Sequence, residues 1–336
     1  MELKNILNKT FSIRNKGGYK KLTILGKDFF IPCLKNEIRM LRSQVESMKY
    51  MMDSCCDITK CKKATGEFRL LQEVRGNVLF LVCDILEKNN VNYFLDFGTL
   101  IGAIRHKGFI PWDDDIDISV VGEDFYKAQD ILNEALKDTD LYVDFGGYRA
   151  SFILKVRDKV FKEMSYLDIF PYEYSDNDTD TVEELSDKIL KVKTDFFNKY
   201  SRYGFWEGKY NMREKSGEMY EMYKKYGVTT KINEGQRVFK SIGALVKSDY
   251  LGIHNISNLF PLKKMEFEGH LLNVPNKSVE FLDDLGAYGD IMKFPALEDI
   301  LCHHETMWYK KVDNFMDKLT KADKKVKSYL SDFGIL

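Results

Sequence analysis

Residues 96–118 hold the densest chemistry in the chain. Gly98-Thr99 breaks an apolar run that ends at Phe97, and Leu100 to Arg105 reads as a short helix. The first turn of such a helix presents free N–H groups, which together with the Thr99 hydroxyl suit a negatively charged group. Arg105, His106 and Lys107 add positive charge, and Gly108 lets the chain reverse. Asp113, Asp114, Asp115 and Asp117 follow. In Asp115-Ile116-Asp117-Ile118 carboxylate and apolar side chains alternate, which predicts the start of a strand with both carboxylates on one face. Two carboxylates side by side repel unless a cation lies between them. Hard oxygen ligands of this kind suit Mg2+ or Mn2+, which take one or two carboxylates plus substrate phosphates. A Gly-Thr turn followed by an Asp-x-Asp strand is a plan for phosphoryl or nucleotidyl transfer. The plainer reading, an acidic surface turn, leaves the upstream Gly-Thr and the basic residues between unexplained.

Two later stretches fit the same chemistry. Asp168 is a lone carboxylate in the apolar, strand-like run Tyr166 to Pro171. A buried Asp without a partner is costly, and a metal held by Asp115 and Asp117 on a neighbouring strand would supply one. The alternative is an edge-strand Asp facing water. Lys155 and Arg157 are two apart and so share a strand face, where they suit a diphosphate; ordinary surface charge is the competing reading. His303 and His304 invite a zinc site, but adjacent residues on a helix point apart. Cys55, Cys56 and Cys61 lack a second pair at ligand spacing and read as buried or idle thiols.

The elements that position these residues follow from periodicity. Residues 65–88 form an amphipathic helix with Phe68, Leu71, Val74, Val78, Val82 and Leu86 inward, leading into a short buried strand at Tyr93 to Phe97. A helix from about Asp124 to Lys137 follows the Asp-x-Asp strand, and apolar stretches at 141–145, 151–156 and 164–170 read as strands. Strands alternating with helices predict a mixed α/β sheet flanked by helices. Residues 182–226 are helical and rich in aromatic residues, mostly core, whose free faces would suit sugar rings or a quaternary ammonium. Residues 262–274 form a hairpin turning at Glu268-Gly269.

Upstream of this domain the pattern differs. Residues 3–16 mix apolar and basic side chains, as in a segment lying on an anionic membrane surface or in a solvated tail. Residues 22–31 read as a small hairpin around Gly26-Lys27. Leu34, Ile38, Leu41, Val45, Met48 and Met52 follow a heptad seam, which suits a homodimer through residues 34–52 or a helix packed on its own domain. The organisation expected is an N-terminal leader, hairpin and heptad helix at 1–54, a catalytic domain at 55–310, and a charged, peripheral helical tail at 311–336.

Composition excludes several classes. The net charge of −1 over 336 residues gives no global signal for nucleic acid. No apolar run reaches the ~20 residues needed to span a bilayer. The sequence shows no secretory signal, and 6 cysteines in such a chain suggest a reducing, cytoplasmic compartment.

The motif from Asp96 to Ile118 resembles the signature of the LicD family, which includes bacterial phosphocholine transferases and is related to fukutin and fukutin-related protein. Further segments match in order: Cys56 to Lys60, Ala64 to Gly66, Lys155 to Asp158, Leu167 to Pro171, Phe260 to Leu262, Phe267 to Gly269, Val274-Pro275, and Tyr288 through Lys293. The resemblance covers about residues 55–305, and Lys21 to Lys27 resembles the leader of some capsule- and O-antigen-locus glycosyltransferases.

The resemblance implies a nucleotidyltransferase-like fold and metal-dependent transfer of a phosphorylated group. The donor is CDP-choline or a CDP-alditol, and the acceptor is a hydroxyl of a capsule, O-antigen or lipopolysaccharide glycan. By position, Asp115, Asp117 and Asp168 become the catalytic and metal carboxylates for Mg2+ or Mn2+. Gly98 and Thr99 become the phosphate turn, and Arg105, Lys155 and Arg157 become donor-phosphate contacts. Such an enzyme would work in the cytoplasm at the inner membrane face, with residues 1–30 as the peripheral contact. Two other readings stay open: transfer of NMP from an NTP, and a non-catalytic membrane-associated scaffold.

Overall fold

The computed structural model describes residues 11–16, 19–24, 27–32, 34–146, 153–161, 164–207, 209–231, 233–244, 251–295 and 312–336. The chain divides into two units, one of residues 1–57 with 296–298 and the other of residues 58–295 with 299–336.

In the first unit β1 (Phe11–Lys16), β2 (Tyr19–Ile24) and β3 (Lys27–Pro32) form an antiparallel sheet, and α1 (Leu34–Cys55) follows. The hairpin expected at 22–31 is there, with Leu22 opposite Phe29. Residues 11–16 are a strand, although the sequence reading grouped them with a membrane-surface segment. The reason lies in Phe11-Ser12-Ile13-Arg14, which alternates with period 2 as strands do. Residues 1–10 lie outside the described residues. On α1 the heptad residues Ile38, Leu41, Val45 and Met48 are exposed among the described residues, Leu41 by 60%.

The second unit is built on a mixed sheet. Helix α2 (Gly66–Lys88) leads to β4 (Tyr93–Leu95), α3 (Phe97–His106), β5 (Asp117–Val121) and α4 (Asp124–Ala135). Three strands follow: β6 (Leu141–Gly146), β7 (Ile153–Asp158) and the long β8 (Ser165–Ser175). Strand β5 runs parallel to β8 and antiparallel to β4. The other long edge of β8 takes β7 along its first half and β9 (Arg237–Lys240) along its second. β10 (His254–Asn255) borders β9, and β6 borders β7.

One face of the sheet packs on α2, whose Leu71, Val74, Val78, Leu81 and Val82 are fully or almost fully buried. The C-terminal helix α10 (Phe315–Asp332) joins this core. It packs along α2 and buries Phe315, Leu319, Ala322, Val326 and Leu330. The tail is therefore not peripheral: its apolar residues recur every three or four positions, an amphipathic stripe beneath the charges. Next to this core, α5 (Val182–Lys199), α6 (Arg202–Trp206) and α7 (Met212–Lys225) enclose a second one with Phe196, Tyr200, Phe205, Tyr220 and Tyr223. Those aromatic residues are structural rather than open to a ligand. A short helix α8 (Ile256–Leu259), the hairpin β11 (Lys263–Phe267) and β12 (His270–Val274), and α9 (Ser278–Asp284) complete the unit. Among the described residues no helix is long and apolar enough to cross a membrane.

Candidate active site

The site forms where β4 ends and α3 begins. Helix α3 starts at Phe97, three residues earlier than the sequence suggests. Asp96 is fully buried and caps it, its Oδ1 accepting from the Phe97 N–H at 2.8 Å and its Oδ2 from the Ser119 hydroxyl at 2.7 Å. The Thr99 hydroxyl accepts from the Asp117 N–H at 2.9 Å, tying α3 to the first residue of β5. Gly98 has no Cβ, and a carbon there would stand 2.5 Å from Asp113 Oδ2, so the Asp113 carboxylate lies against the turn. The Gly-Thr turn thus places two aspartates by close approach and by a hydrogen bond.

The two strand carboxylates share a level. Asp117 on β5 pairs with Asp168 on β8, and Lys155 on β7 pairs with the same Asp168 from the other side. The Lys155 ammonium donates to Asp168 Oδ2, and the Ser165 hydroxyl donates to Oδ1 at 3.4 Å. Burial raises the Asp117 carboxyl well above the usual range, and the negative charges of Asp115, Asp168, Asp113 and Asp96 raise it further.

Asp115 differs from its sequence reading. β5 begins at Asp117, so Asp115 belongs to the preceding loop and its side chain is largely exposed. The loop is held from α2 and the β11–β12 turn. Gln72 Nε2 donates to the carbonyls of Asp113 at 2.8 Å and Ile110 at 3.2 Å. Arg75 lies 3.4 Å from Asp114 Oδ2 and 3.6 Å from Asp115 Oδ1, and donates to the Ser165 carbonyl at 3.1 Å. Glu268 takes Arg69 and Lys63, accepts from the Phe109 N–H at 3.3 Å, and leaves room for no side chain at Gly108. Among the described residues, the carboxylates gathered within 4.8 Å of one another are those of Asp113, Asp114 and Asp115. That trio shares only Asp115 with the one read from the sequence.

The basic residues separate. Lys155 stands at the carboxylates. Arg157 points along the same strand face and donates to Asp144 Oδ1 at 2.8 Å. Arg105 is buried: it donates to the Ile291 carbonyl at 2.7 Å and to His106 Nε2 at 2.9 Å, and lies over the Trp112 ring at 5.6 Å. Burial pulls its guanidinium down to about 10, and burial with the Arg105 charge pulls His106 down to about 4. These partners describe a strut between α3 and residues 291–294. His303, His304 and Glu305 lie outside the described residues. Cys55 and Cys56 are exposed free thiols, and Cys83 is a buried one.

Sequence reasoning passed over Gln72 and Arg75, and read Glu268 as a hairpin turn only. Arg75 carried a signal, since it falls on the apolar stripe of α2, four residues after Leu71 and three before Val78. A charged residue there is buried with a partner or not buried at all.

A mixed sheet with paired aspartates on adjacent parallel strands, next to a Gly-Thr helix start, defines a nucleotidyltransferase-like domain. The nucleotidyltransferase-domain family LicD/FKTN/FKRP matches residues 90–207, which include Asp96, Gly98, Thr99, Asp117, Lys155 and Asp168. The lipopolysaccharide cholinephosphotransferase LicD of Haemophilus influenzae is 30% identical over 267 residues, covering 72% of this chain and 97% of that protein. The uncharacterized protein RP689 of Rickettsia prowazekii is 32% identical over 126 residues, 38% of this chain and 42% of its own. The ribitol 5-phosphate transferase FKRP of Mus musculus is 30% identical over 107 residues, 32% of this chain and 19% of its own. The chain belongs to the LicD family.

Proposed function

We propose that this protein transfers a phosphorylated group from a CDP-linked donor to a hydroxyl of a bacterial surface glycan. Phosphocholine is the group that the first relative's name favours, and an alditol phosphate the one favoured by the second transferase. The observation that carries the reading is the shared level of Asp117, Asp168 and Lys155 on three adjacent strands inside the family-matched region.

An all-oxygen donor set with four neighbouring negative charges around Asp117 fits a hard divalent cation, Mg2+ or Mn2+. Asp117, Asp168 and Asp115 would hold it, with Asp113 and Asp114 close by. When bound it would offset charge on the donor diphosphate. The remaining roles belong to the chain. Lys155 orients Asp168, and Asp168 takes the proton of the acceptor hydroxyl as its oxygen attacks phosphorus. The new P–O bond forms as the bond to CMP breaks, with Lys155 near the departing phosphate. Gln72, Arg75 and Glu268 keep the acidic loop in place.

The test is release of CMP from CDP-choline, CDP-ethanolamine, CDP-glycerol and CDP-ribitol, with Mg2+ or Mn2+ and then with EDTA, lysate polysaccharide serving as acceptor. One donor giving metal-dependent CMP, lost in Asp117→Asn, is the expected result. Silence across the panel with pyrophosphate released from an NTP would replace the reading by nucleotidyl transfer. The same proposal places the work at the cytoplasmic membrane face, tested by whether membrane cofractionation is lost on deleting residues 1–30.

A further inference from the structure

Lys240 lies beyond the family-matched region, on β9. It stands opposite Tyr172 on β8. Asp168, Phe170 and Tyr172 are spaced by two and so share one face of β8. Lys240 therefore joins that face from β9, as Lys155, opposite Asp168, joins it from β7. The packing agrees. Phe170 meets Phe97 edge-on at 4.8 Å, and Lys240 Nζ lies 4.7 Å from the centre of the Phe97 ring. The two lysines bracket this aromatic pair next to the Gly98 turn.

Their surroundings differ. Lys155 is paired with Asp168. Among the described residues the Lys240 ammonium makes no hydrogen bond or ion pair, although Asp96 and Asp117 are near enough for their charges to act on it. Its stem is walled in. A Cβ on Gly252, which has φ of +54°, would stand 3.2 Å from Lys240 Cε and 3.1 Å from His254 Nε2. His254 is itself buried, stacked on Phe281 at 3.7 Å and bonded through Nδ1 to Asp284 at 3.2 Å. The wall fixes the stem and leaves the ammonium as the adjustable end. A half-buried cation whose one direct contact among the described residues is a ring face is incompletely compensated, and a phosphate oxygen is the partner a lysine point charge binds well.

We infer that Lys240 is a phosphate-binding residue of this site, its ammonium leaving the Phe97 ring for the diphosphate of the nucleotide-linked donor. The inference rests on the proposed donor class. Titration of the full chain with CDP and Mg2+ tests it directly. Lys240→Met weakens CDP binding about 10- to 100-fold, the range for losing one charge-assisted hydrogen bond. Lys240→Arg recovers most of that affinity. Lys264→Met, which removes an exposed ion pair between Lys264 on β11 and Glu87 on α2, leaves it unchanged. In turnover, Lys240→Met raises the donor KM more than it lowers kcat, and its melting temperature does not fall. Equal CDP affinity in Lys240→Met and wild type overturns the inference, as does a loss that Lys240→Arg does not recover. A wild-type protein that ignores CDP but binds another nucleotide removes the donor class alone, and the same variants then decide Lys240 with that nucleotide. A wild-type protein that binds no nucleotide removes both.

Discussion

Asp117 and Asp168 face each other across the parallel β5–β8 pair, and the same Asp168 is tied to Lys155 on its far side. Two carboxylates at one level, with one counter-charge on the far side of Asp168, leave an excess of negative charge that falls on Asp117. Function and stability oppose each other at such a residue. Asp117→Asn removes the group expected to hold the cation and lowers CMP release by about a thousand-fold. In EDTA the same variant relieves like-charge repulsion, and its melting temperature rises by about 2–4 °C for each kcal/mol gained. Asp168→Asn also loses activity but gains less, because it strands Lys155. A melting temperature that falls in Asp117→Asn would remove the electrostatic conflict from this account.

Two glycines of α3 separate positioning from packing. A Cβ on Gly98 meets the end of the Asp113 side chain, which can swing away. A Cβ on Gly102 meets the Gly108 backbone carbonyl at 2.4 Å and the Ile110 nitrogen at 3.3 Å, which cannot move without shifting the loop. Gly98→Ala therefore costs about 1 kcal/mol or less of stability while activity drops, because Asp113 is displaced. Gly102→Ala costs about 2–3 kcal/mol and lowers activity through unfolding. Chemical denaturation and CMP release, run side by side, check the contrast.

What the sequence revealed and what it hid follow from how each residue is placed. Asp117, Asp168 and Lys155 were legible because each sits in a strand, where alternation assigns its face without knowledge of the neighbours. Their shared level was not legible, since strand register is set by packing over the whole sheet. The start of β5 was read two residues early because Asp115 continues the alternation although the loop from Gln72 and Arg75 still holds it. Lys240 on β9 and Glu268 in the β11–β12 turn lie more than 100 residues downstream of the motif; no local pattern marks Lys240, and the pattern at Glu268 marks a turn without showing which loop it holds. The C-terminal helix misled through its charge: its buried stripe of Phe315, Leu319, Val326 and Leu330 is narrow.

The exposed seam of α1 carries a prediction about assembly. Ile38, Leu41, Val45 and Met48 follow a heptad and are exposed among the described residues. We expect a second copy of the chain to cover them, since a heptad stripe of this kind is self-complementary. Light scattering should report a dimer for the full chain and a monomer for the Leu41→Glu, Val45→Glu pair of substitutions, with CMP release per chain unchanged. A monomeric wild type at concentrations of tens of micromolar, on the order used for weak coiled coils, would rule the dimer out.

Glu173 carries a pH signature away from the chemistry. It lies on the face of β8 opposite to Asp168, buried among α7 residues, with Tyr220 donating to its Oε2 at 2.9 Å. Burial pushes its carboxyl from 4.5 up to about 7, against the opposing effect of bonds from Tyr220 and Ser241. A carboxyl that holds its proton more tightly when folded adds stability fully below pH 4.5 and loses it as pH rises through about 7. Glu173→Gln keeps an acceptor for Tyr220 and has no proton to lose. It should match wild type near pH 4.5 and exceed it at pH 8 by on the order of 3 kcal/mol, measured by urea unfolding at each pH. Parallel stability curves for the two proteins would mean that Glu173 titrates over the same pH range folded and unfolded. The pH dependence of folding would then have to come from the acidic loop around Asp117, and Asp117→Asn would flatten it instead.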